Sequence, residues 1–212
     1  TVMVTVPIQA LANTLDVLTV TAVSDSDGGE TDTAANTTTV SLVPGLLVTP
    51  EAQSQNADPD SQVHYAYVIN NTGNATDTYD LTANSDQGYD VNLNVNQLAL
   101  PAFTSDTVTV TITIPPDAEA GTSDVTVLIV QSDKNPNLTT TVTSTTQINL
   151  LSGVQIDPDN GGFAYPGETA VYTHTVTNTS NRRETISLTA SSNQGWIVNV
   201  VPSSLDLPRG AN

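Results

Sequence analysis

The only side chains of this 212-residue protein that could act as imidazole general bases are His64 and His174. His64 alternates with apolar neighbours and is predicted to point away from the core. His174 is predicted to be a packed, hydrogen-bonded residue. Neither belongs to a Ser-His-Asp order, a G-x-S-x-G elbow, an H-E-x-x-H motif or a phosphate-binding loop. The residues therefore indicate that the protein is not an enzyme.

Carboxylates gather in one acidic stretch, SDSDGGETD, which begins at Ser24. Calcium takes six to eight oxygen ligands from close carboxylates and carbonyls. The stretch has that density but lacks the twelve-residue loop pattern with its glycine and final glutamate. It is either a solvated loop or a calcium site, and calcium is the one cofactor left open. Its candidate ligands are Asp25, Asp27, Glu30 and Asp32.

Asparagine and threonine form five N-x-S/T sequons, all at predicted turns or strand ends, where a glycan avoids burial. The predicted acceptors are Asn36, Asn70, Asn74, Asn137 and Asn178. Aromatic residues offer a second link to sugars, because Trp196, Tyr165 and Tyr172 could stack on a carbohydrate. An isolated aromatic residue at a strand start is more often part of a core.

The formal charge of −18 limits the partners. With only four cationic side chains, binding to nucleic acid through phosphate contacts is excluded. An anionic membrane surface is excluded on the same ground. No apolar run is long enough for a membrane span, so no membrane insertion is expected. The chain also has no cysteine, so disulfides and thiolate metal sites are impossible.

The elements that must position these residues are predicted to be strands only. Apolar residues alternate with threonine from Thr107 onward, Pro115 and Pro116 stop that strand, and Asp117–Gly121 turns the chain into another. No segment has a helical period. The alternation predicts a core of Val63, Tyr65, Tyr67, Ile69, Leu81, Val91, Val108, Val110, Ile112, Val127 and Ile129.

The chain repeats itself at a spacing of 107 to 108 residues. Val2, Val4 and Val6 stand 108 positions before Val110, Ile112 and Ile114. Further pairs link the middle of the chain to its last third: Tyr65 and Tyr172, Asn71 and Asn178, Leu81 and Leu188, Val91 and Val198. Such a period indicates tandem copies of one supersecondary unit. The fold class is therefore all-β, with tandem seven-stranded immunoglobulin-like sandwiches and no helix.

The stretch YPGETAVYTHTVTNTSNRRETISLTASSNQGWIVNV, which begins at Tyr165, resembles a known family. Together with TVTITIPPDAEAGTSDVTV it is similar to the NEW3-type, alpha-galactosidase-associated immunoglobulin-like module. The resemblance implies a module that spaces other domains in secreted glycosidases and prokaryotic surface proteins. Two departures are that Pro166-Gly167-Glu168 becomes Pro59-Asp60-Ser61 in the middle copy and that Trp196 becomes Tyr89.

Three parts follow from the repeat. Residues 1–43, the head segment, are predicted to be the last three strands of a sandwich. Residues 44–151, the central module, are a complete sandwich, and residues 152–212, the tail segment, are the first four strands of another. The head of one copy is expected to complete the tail of the next. The residues predicted to meet there are Val2, Val4, Val6, Val17, Val40, Tyr172, Val176, Leu188 and Val198.

These features predict an extracellular structural protein that self-assembles head to tail into a filament or a surface layer. The same geometry results if the 212 residues are a slice of one long chain. One alternative is a carbohydrate-binding or spacer module of a secreted glycosidase, with cell-surface glycans as partners. A calcium-dependent adhesin stalk is the other alternative.

Overall fold

The computed structural model describes all 212 residues and contains fifteen β-strands and no helix. The all-β prediction is confirmed. The strands in chain order are β1 (Leu15–Val23), β2 (Thr31–Thr39), β3 (Leu47–Thr49), β4 (Ala52–Ala57), β5 (Gln62–Asn70), β6 (Asp77–Ser85), β7 (Asp90–Leu93), β8 (Gln97–Leu100), β9 (Ser105–Thr113), β10 (Ser123–Ser132), β11 (Thr139–Ile148), β12 (Val154–Asp157), β13 (Thr175–Asn178), β14 (Glu184–Ser187) and β15 (Ser204–Leu207).

The central module is an immunoglobulin-like sandwich of two sheets. One sheet has the order β4-β11-β10-β6-β8 and the other has the order β3-β5-β9-β7. That makes nine strands instead of the predicted seven. The first strand divides near Pro50 because proline cannot donate to a ladder, so β3 and β4 join different sheets. Residues 97–100 pair with β6 as a further edge strand.

Packing divides the chain into two compact units. The first comprises residues 1–53, 64–112 and 125–144, and the second comprises residues 54–63, 113–124 and 145–212. The long strands β5, β9, β10 and β11 contribute residues to both units.

The core of the first unit is built by strict alternation along β5 and β9. Tyr65, Tyr67 and Ile69 are fully buried, as the period of two predicts for a strand with one covered face. The Tyr67 hydroxyl lies 2.8 Å from the carbonyl oxygen of Thr143 and 2.6 Å from Ser144 Oγ. A hydrogen bond of this kind lets an aromatic side chain with a polar end lie inside the core.

The predicted inner face of β10 is wrong by one residue. Thr126, Leu128 and Val130 are buried, whereas Val127 and Ile129 are only half-buried. The segment TVLIV is apolar at nearly every position, so the alternation that fixes a strand's register is missing there. Val91, also predicted to lie in the core, is half-buried at the start of the short strand β7.

The core of the second unit combines apolar residues with buried polar ones. Ile114, Ala118 and Ile148 are buried, and Val176 and Leu207 of the tail segment are nearly so. The backbone of the 119–122 turn is held to the last strand, since Gly121 donates to the Ile148 carbonyl and Ile148 donates to that of Thr122.

The head and tail segments form short two-stranded sheets. β1 pairs with β2, β12 with β13, and β14 with β15. Residues 1–7 form no strand, although a strand was predicted there. An isolated extended segment has no ladder to join, and strand structure requires a partner.

Candidate functional site

The apolar face of the head segment is uncovered. Val2, Val4 and Val6 are 53%, 43% and 43% exposed. Their counterparts in the central module, 108 residues later, are all at 0% exposure. The same side-chain pattern is therefore a core in one place and a surface in the other.

The tail segment carries the matching uncovered face. Tyr172 is 48% exposed and Val198 is 44% exposed, whereas Tyr65, the counterpart of Tyr172, is fully buried. Leu188 is half-buried, and Val176 is the one predicted assembly residue of the tail segment that is already buried. Exposed apolar side chains that gather into a patch mark an interaction site or an aggregation hazard.

The strands of the tail segment also have unpaired edges. In the central module β5 lies between β3 and β9, and β6 lies between β8 and β10. Their tail counterparts, β13 and β14, each have one neighbour only. An unpaired edge presents a row of free N–H and C=O groups that another strand can pair with.

The strands that the tail segment lacks have their counterparts in the head segment. Residues 1–5 correspond to the end of β9, and β1 corresponds to β10. The converse holds for one neighbour of each strand, because β6, beside β10, corresponds to β14 of the tail, and β5, beside β9, corresponds to the region of β13.

A second repeated feature is a set of side-chain hydrogen bonds from one asparagine, which joins the head segment to the central module and recurs between the central module and the tail segment. Asn74 accepts a hydrogen bond from the Val43 amide at 2.8 Å and donates to the carbonyls of Ser41, at 2.9 Å, and Ala10, at 3.3 Å. The Asn74 backbone also donates to the Val43 carbonyl. One buried side chain thus ties two separate stretches of the head segment to the central module.

Asn181 makes the same bonds one repeat later. Its side chain accepts from the Leu151 amide at 2.9 Å and donates to the carbonyls of Asn149, at 2.9 Å, and Ala118, at 3.2 Å. Each partner lies 108 residues after its counterpart around Asn74. We call these two sites the Asn74 clamp and the Asn181 clamp.

Glycine is required beside both clamps. A Cβ atom at Gly45 would overlap the Thr72 hydroxyl and the backbone of Gly73. A Cβ atom at Gly153 would overlap the hydroxyl of Thr179, the counterpart of Thr72. The close approach of the two backbones therefore recurs in the second joint.

The clamps were missed at the sequence level, although a signal for them exists. Asn71 and Asn74 stand three residues apart, as do Asn178 and Asn181. Only the first asparagine of each pair was recognised as repeated. A second asparagine three residues after the first, present in both copies, is a better sign of such a joint between segments than an N-x-S/T sequon is.

Val17 was predicted to belong to the assembly face, but its place in the repeat points to the other side of β1. It is 57% exposed, and its counterpart Val125 lies on the outer, half-buried side of β10. The inner positions of β1 are those equivalent to Thr126, Leu128 and Val130, namely Leu18, Val20 and Ala22. Val40 is half-buried and matches the buried Ile148.

The acidic stretch does not form a metal cluster. Asp25, Asp27, Glu30 and Asp32 are exposed, and no group of three or more His, Cys, Asp or Glu side chains is arranged to hold a metal ion. Two of these carboxylates accept hydrogen bonds from the backbone instead. Asp27 Oδ1 accepts from the Gly29 amide at 3.1 Å, and Asp32 Oδ1 accepts from that of Thr33 at 2.9 Å.

Two of the predicted glycan acceptors are engaged in the fold. Asn178 is fully buried, and its Nδ2 donates to the carbonyls of Arg182 and Leu207. Asn74 is 7% exposed and uses its Nδ2 in the clamp. A glycan at either Nδ2 would replace one of those protons and break one of these hydrogen bonds. Asn36 and Asn137 are exposed and Asn70 is half-buried.

Neither histidine lies in a catalytic arrangement. His64 is exposed, with Nδ1 at 2.9 Å from Thr111 Oγ1. His174 was expected to be packed but is exposed, with Nδ1 at 2.8 Å from the carbonyl oxygen of Pro158. Trp196 and Tyr165 are exposed by 77% and 80%, whereas Tyr89, the counterpart of Trp196, is half-buried.

Residues 47–149 match the family model of the VWA7 Ig-like domain, which shows an immunoglobulin-like module in this part of the chain. A NEW3-type module in particular is not shown. A search of curated proteins gives no match. No helix in the structure is long and apolar enough to cross a bilayer.

Several solved structures are similar to this chain at low identity and with TM-scores below 0.5. A family 123 glycoside hydrolase from Clostridium perfringens gives a TM-score of 0.43 and 11% identity over 53% of this chain, which spans 28% of the hydrolase. A chaperone–tip adhesin complex of CFA/I fimbriae biogenesis gives 0.39 and 10%, covering 79% of this chain and 80% of the other. The E. coli chaperone DraB gives 0.38 and 10%, covering 49% and 54%.

Proposed function

We propose that the protein is a non-catalytic structural subunit of an extracellular filament or surface layer. In this proposal, residues 1–43 of one copy complete residues 152–212 of the next. The result is an unbroken line of immunoglobulin-like sandwiches. The joining reaction is strand addition, in which backbone hydrogen bonds and an apolar face act together.

The carrying observation is the complementarity of the two uncovered faces. Val2, Val4 and Val6 correspond to residues that are fully buried in the central module. Tyr172 and Leu188 correspond to Tyr65 and Leu81, which are buried in the same module. Burying a valine side chain contributes about 1.5 kcal/mol or more, so completing several such positions favours association.

The test is assembly of the 212-residue chain, followed by light scattering and electron microscopy. Val4→Asp should abolish assembly, because its counterpart Ile112 is fully buried. Val23→Asp is the matched control, since its counterpart Gln131 is exposed. Equal assembly of both variants, or a monomeric parent chain, would refute the proposal.

A disulfide trap fixes the expected register. In the central module His64 lies opposite Thr111 in a non-hydrogen-bonded pair, because Ile114 donates to the Ser61 carbonyl three positions away. The corresponding residues of the joined copies are Val171 and Met3, at 83% and 90% exposure. Cβ atoms of such pairs are about 4.5–5.5 Å apart, near the reach of a disulfide.

Met3→Cys with Val171→Cys should therefore give a ladder of covalent oligomers on a non-reducing gel, in a chain that has no cysteine of its own. Met3→Cys with Thr173→Cys is the control, because diagonal Cβ atoms are about 7–8 Å apart, too far for a disulfide. A ladder from the control alone would mean another register.

A sugar-binding module is the second candidate, favoured by the exposed aromatic rings of Phe163, Tyr165 and Trp196. Joining would partly cover Trp196, since its counterpart Tyr89 is half-buried. Glycan binding by the monomeric Val4→Asp variant, lost in Trp196→Ala, would favour this candidate.

A further inference from the structure

The acidic stretch of the head segment has the same backbone hydrogen bonds as a loop of the central module that docks on a neighbouring strand. Ser24 donates its backbone N–H to the carbonyl of Glu30 at 3.0 Å, and Glu30 donates to that of Asp27 at 3.0 Å. The Asp27 amide lies 3.3 Å from Ser24 Oγ. We call residues 24–30 the acidic loop.

Residues 132–138 of the central module make the same bonds 108 positions later. Ser132 donates to Leu138 at 3.0 Å, Leu138 to Asn135 at 2.8 Å, and Asn135 to Ser132 Oγ at 3.0 Å. The two loops therefore have the same length and the same internal hydrogen bonds. The acidic loop adopts this conformation without the partner strands that surround the central one.

The central loop docks on the start of β6 through three hydrogen bonds. Ser132 Oγ donates to Asp77 Oδ2 at 2.6 Å, the Lys134 amide donates to Asp77 Oδ1 at 3.2 Å, and the Asp133 amide donates to the Thr78 carbonyl at 2.9 Å. Asp77 is 2% exposed, so this contact is part of the fold.

The corresponding place in the tail segment, the start of β14, carries different charges. Glu184 replaces Asp77, and the two residues before it change from Ala75 and Thr76 to Arg182 and Arg183. Arg182 and Arg183 are held at the surface by ion pairs with Glu184, at 2.9 Å, and with Asp206, at 2.8 Å. A guanidinium has five N–H donors, so donors remain for a further carboxylate.

The loops change charge in the opposite sense. The central loop carries Asp133 and Lys134 and is neutral, whereas the acidic loop carries three carboxylates and no cation. Two of the four cationic residues of the chain thus stand where the acidic loop of another copy would dock. If the acidic loop docked on the central module instead, its carboxylates would lie near Asp77, with Ala75 and Thr76 in place of the two arginines.

We propose that the acidic loop and the Arg182–Arg183 pair form the electrostatic contact that selects the tail segment of a second copy as its partner. This inference rests on the proposed head-to-tail assembly and names its specificity contact. Opposite charges across an interface raise the association rate and fix the register, while like charges suppress the wrong partner. Ser24 would donate to Glu184 as Ser132 donates to Asp77.

The test is charge reversal in the complete chain at one fixed ionic strength. Arg182→Glu with Arg183→Glu should raise the concentration needed for half-assembly by about tenfold or more, the effect of losing close charge pairs. The chain has only one lysine, so the single change Lys134→Glu serves as the control. It adds negative charge to the central loop and leaves the tail segment unchanged. It should leave assembly within about twofold of the parent.

Rescue separates the contact from general effects of charge. Adding Asp25→Arg and Asp27→Arg to the reversed chain should restore assembly to within about threefold, because the pairs are re-formed with exchanged signs. Chelation with EDTA should have no effect on the parent chain. Loss of assembly in EDTA, restored by calcium, would overturn the inference in favour of a bridging cation.

The outcomes also distinguish the two proposals. A parent chain that stays monomeric refutes the assembly itself. A parent chain that assembles, with the arginine-reversed chain matching the Lys134→Glu control, overturns the charge contact and leaves the assembly standing.

Discussion

Single asparagine side chains hold the segments of this protein together. The Asn74 clamp satisfies one amide and two carbonyls of the head segment, which would otherwise lack these bonds. Asn181 does the same one repeat later. A buried amide that satisfies several backbone groups at once specifies one geometry, because leaving such groups unpaired is costly.

Asn74→Ala is expected to lower the free energy of unfolding by about 1–3 kcal/mol, since the Val43 N–H loses its acceptor. Urea denaturation would measure the change, and limited proteolysis should show earlier cleavage in residues 1–43. Asn84→Ala, at an exposed position of β6, should change stability by less than about 0.5 kcal/mol. Equal effects of the two substitutions would refute the clamp.

Tyr79 provides a pH-dependent readout at the same joint. Burial, with a contribution from the Asp77 carboxylate, raises the pKa of Tyr79 to about 12. The hydroxyl donates to the Gly45 carbonyl at 2.7 Å. Below pH 10, the ordinary tyrosine pKa, the side chain is protonated in both the folded and unfolded states.

Between pH 10 and pH 12 the unfolded state loses the proton while the folded state keeps it, so stability falls. The loss should approach about 2–3 kcal/mol, the value of two pKa units. Urea midpoints measured across this range would report it. Tyr79→Phe should be less stable at neutral pH but should show a smaller alkaline decline. An identical decline in the variant would show that another group titrates.

At the scale of the strand, the sequence predicts those elements whose two faces differ. β5 and β9 alternate cleanly, and their inner residues Tyr65, Tyr67, Val110 and Ile112 were all predicted and are buried. β10 has apolar residues on both faces, so alternation could not choose between them. Its buried face also contains Asp124 and Thr126, which no hydrophobic pattern selects.

The choice of face in β10 can be checked by truncation. Leu128→Ala should cost about 2–5 kcal/mol, because the side chain is 1% exposed and its removal leaves a cavity. Ile129→Ala should cost clearly less, since the side chain is half-buried on the outer face. Thermal or urea denaturation of the two variants would rank them, and the reverse order would restore the register that the sequence suggested.

At the scale of the whole molecule, the period in the sequence relates the exposed Val2, Val4 and Val6 to residues that are buried in the central module. It did not reveal the joints, because the backbone groups that a clamp binds carry no sequence signal, and the one signal present is the recurrence of Asn74 as Asn181. It also could not assign the acidic loop, whose hydrogen bonds match those of residues 132–138 despite a different sequence. Backbone conformation is preserved there while side-chain charge is not.

Hydrogen exchange should locate the joining surfaces in the assembled protein. In the parent chain above its assembly concentration, amides of β14 and of residues 1–6 should exchange more slowly than in monomeric Val4→Asp, because unpaired edges gain partners. Amides of β9 and β10 should exchange alike in both, since these strands already have neighbours on each side. Mass spectrometry of peptic fragments would resolve these regions. Protection that appears in the central module and not at the ends would mean that copies associate through another surface.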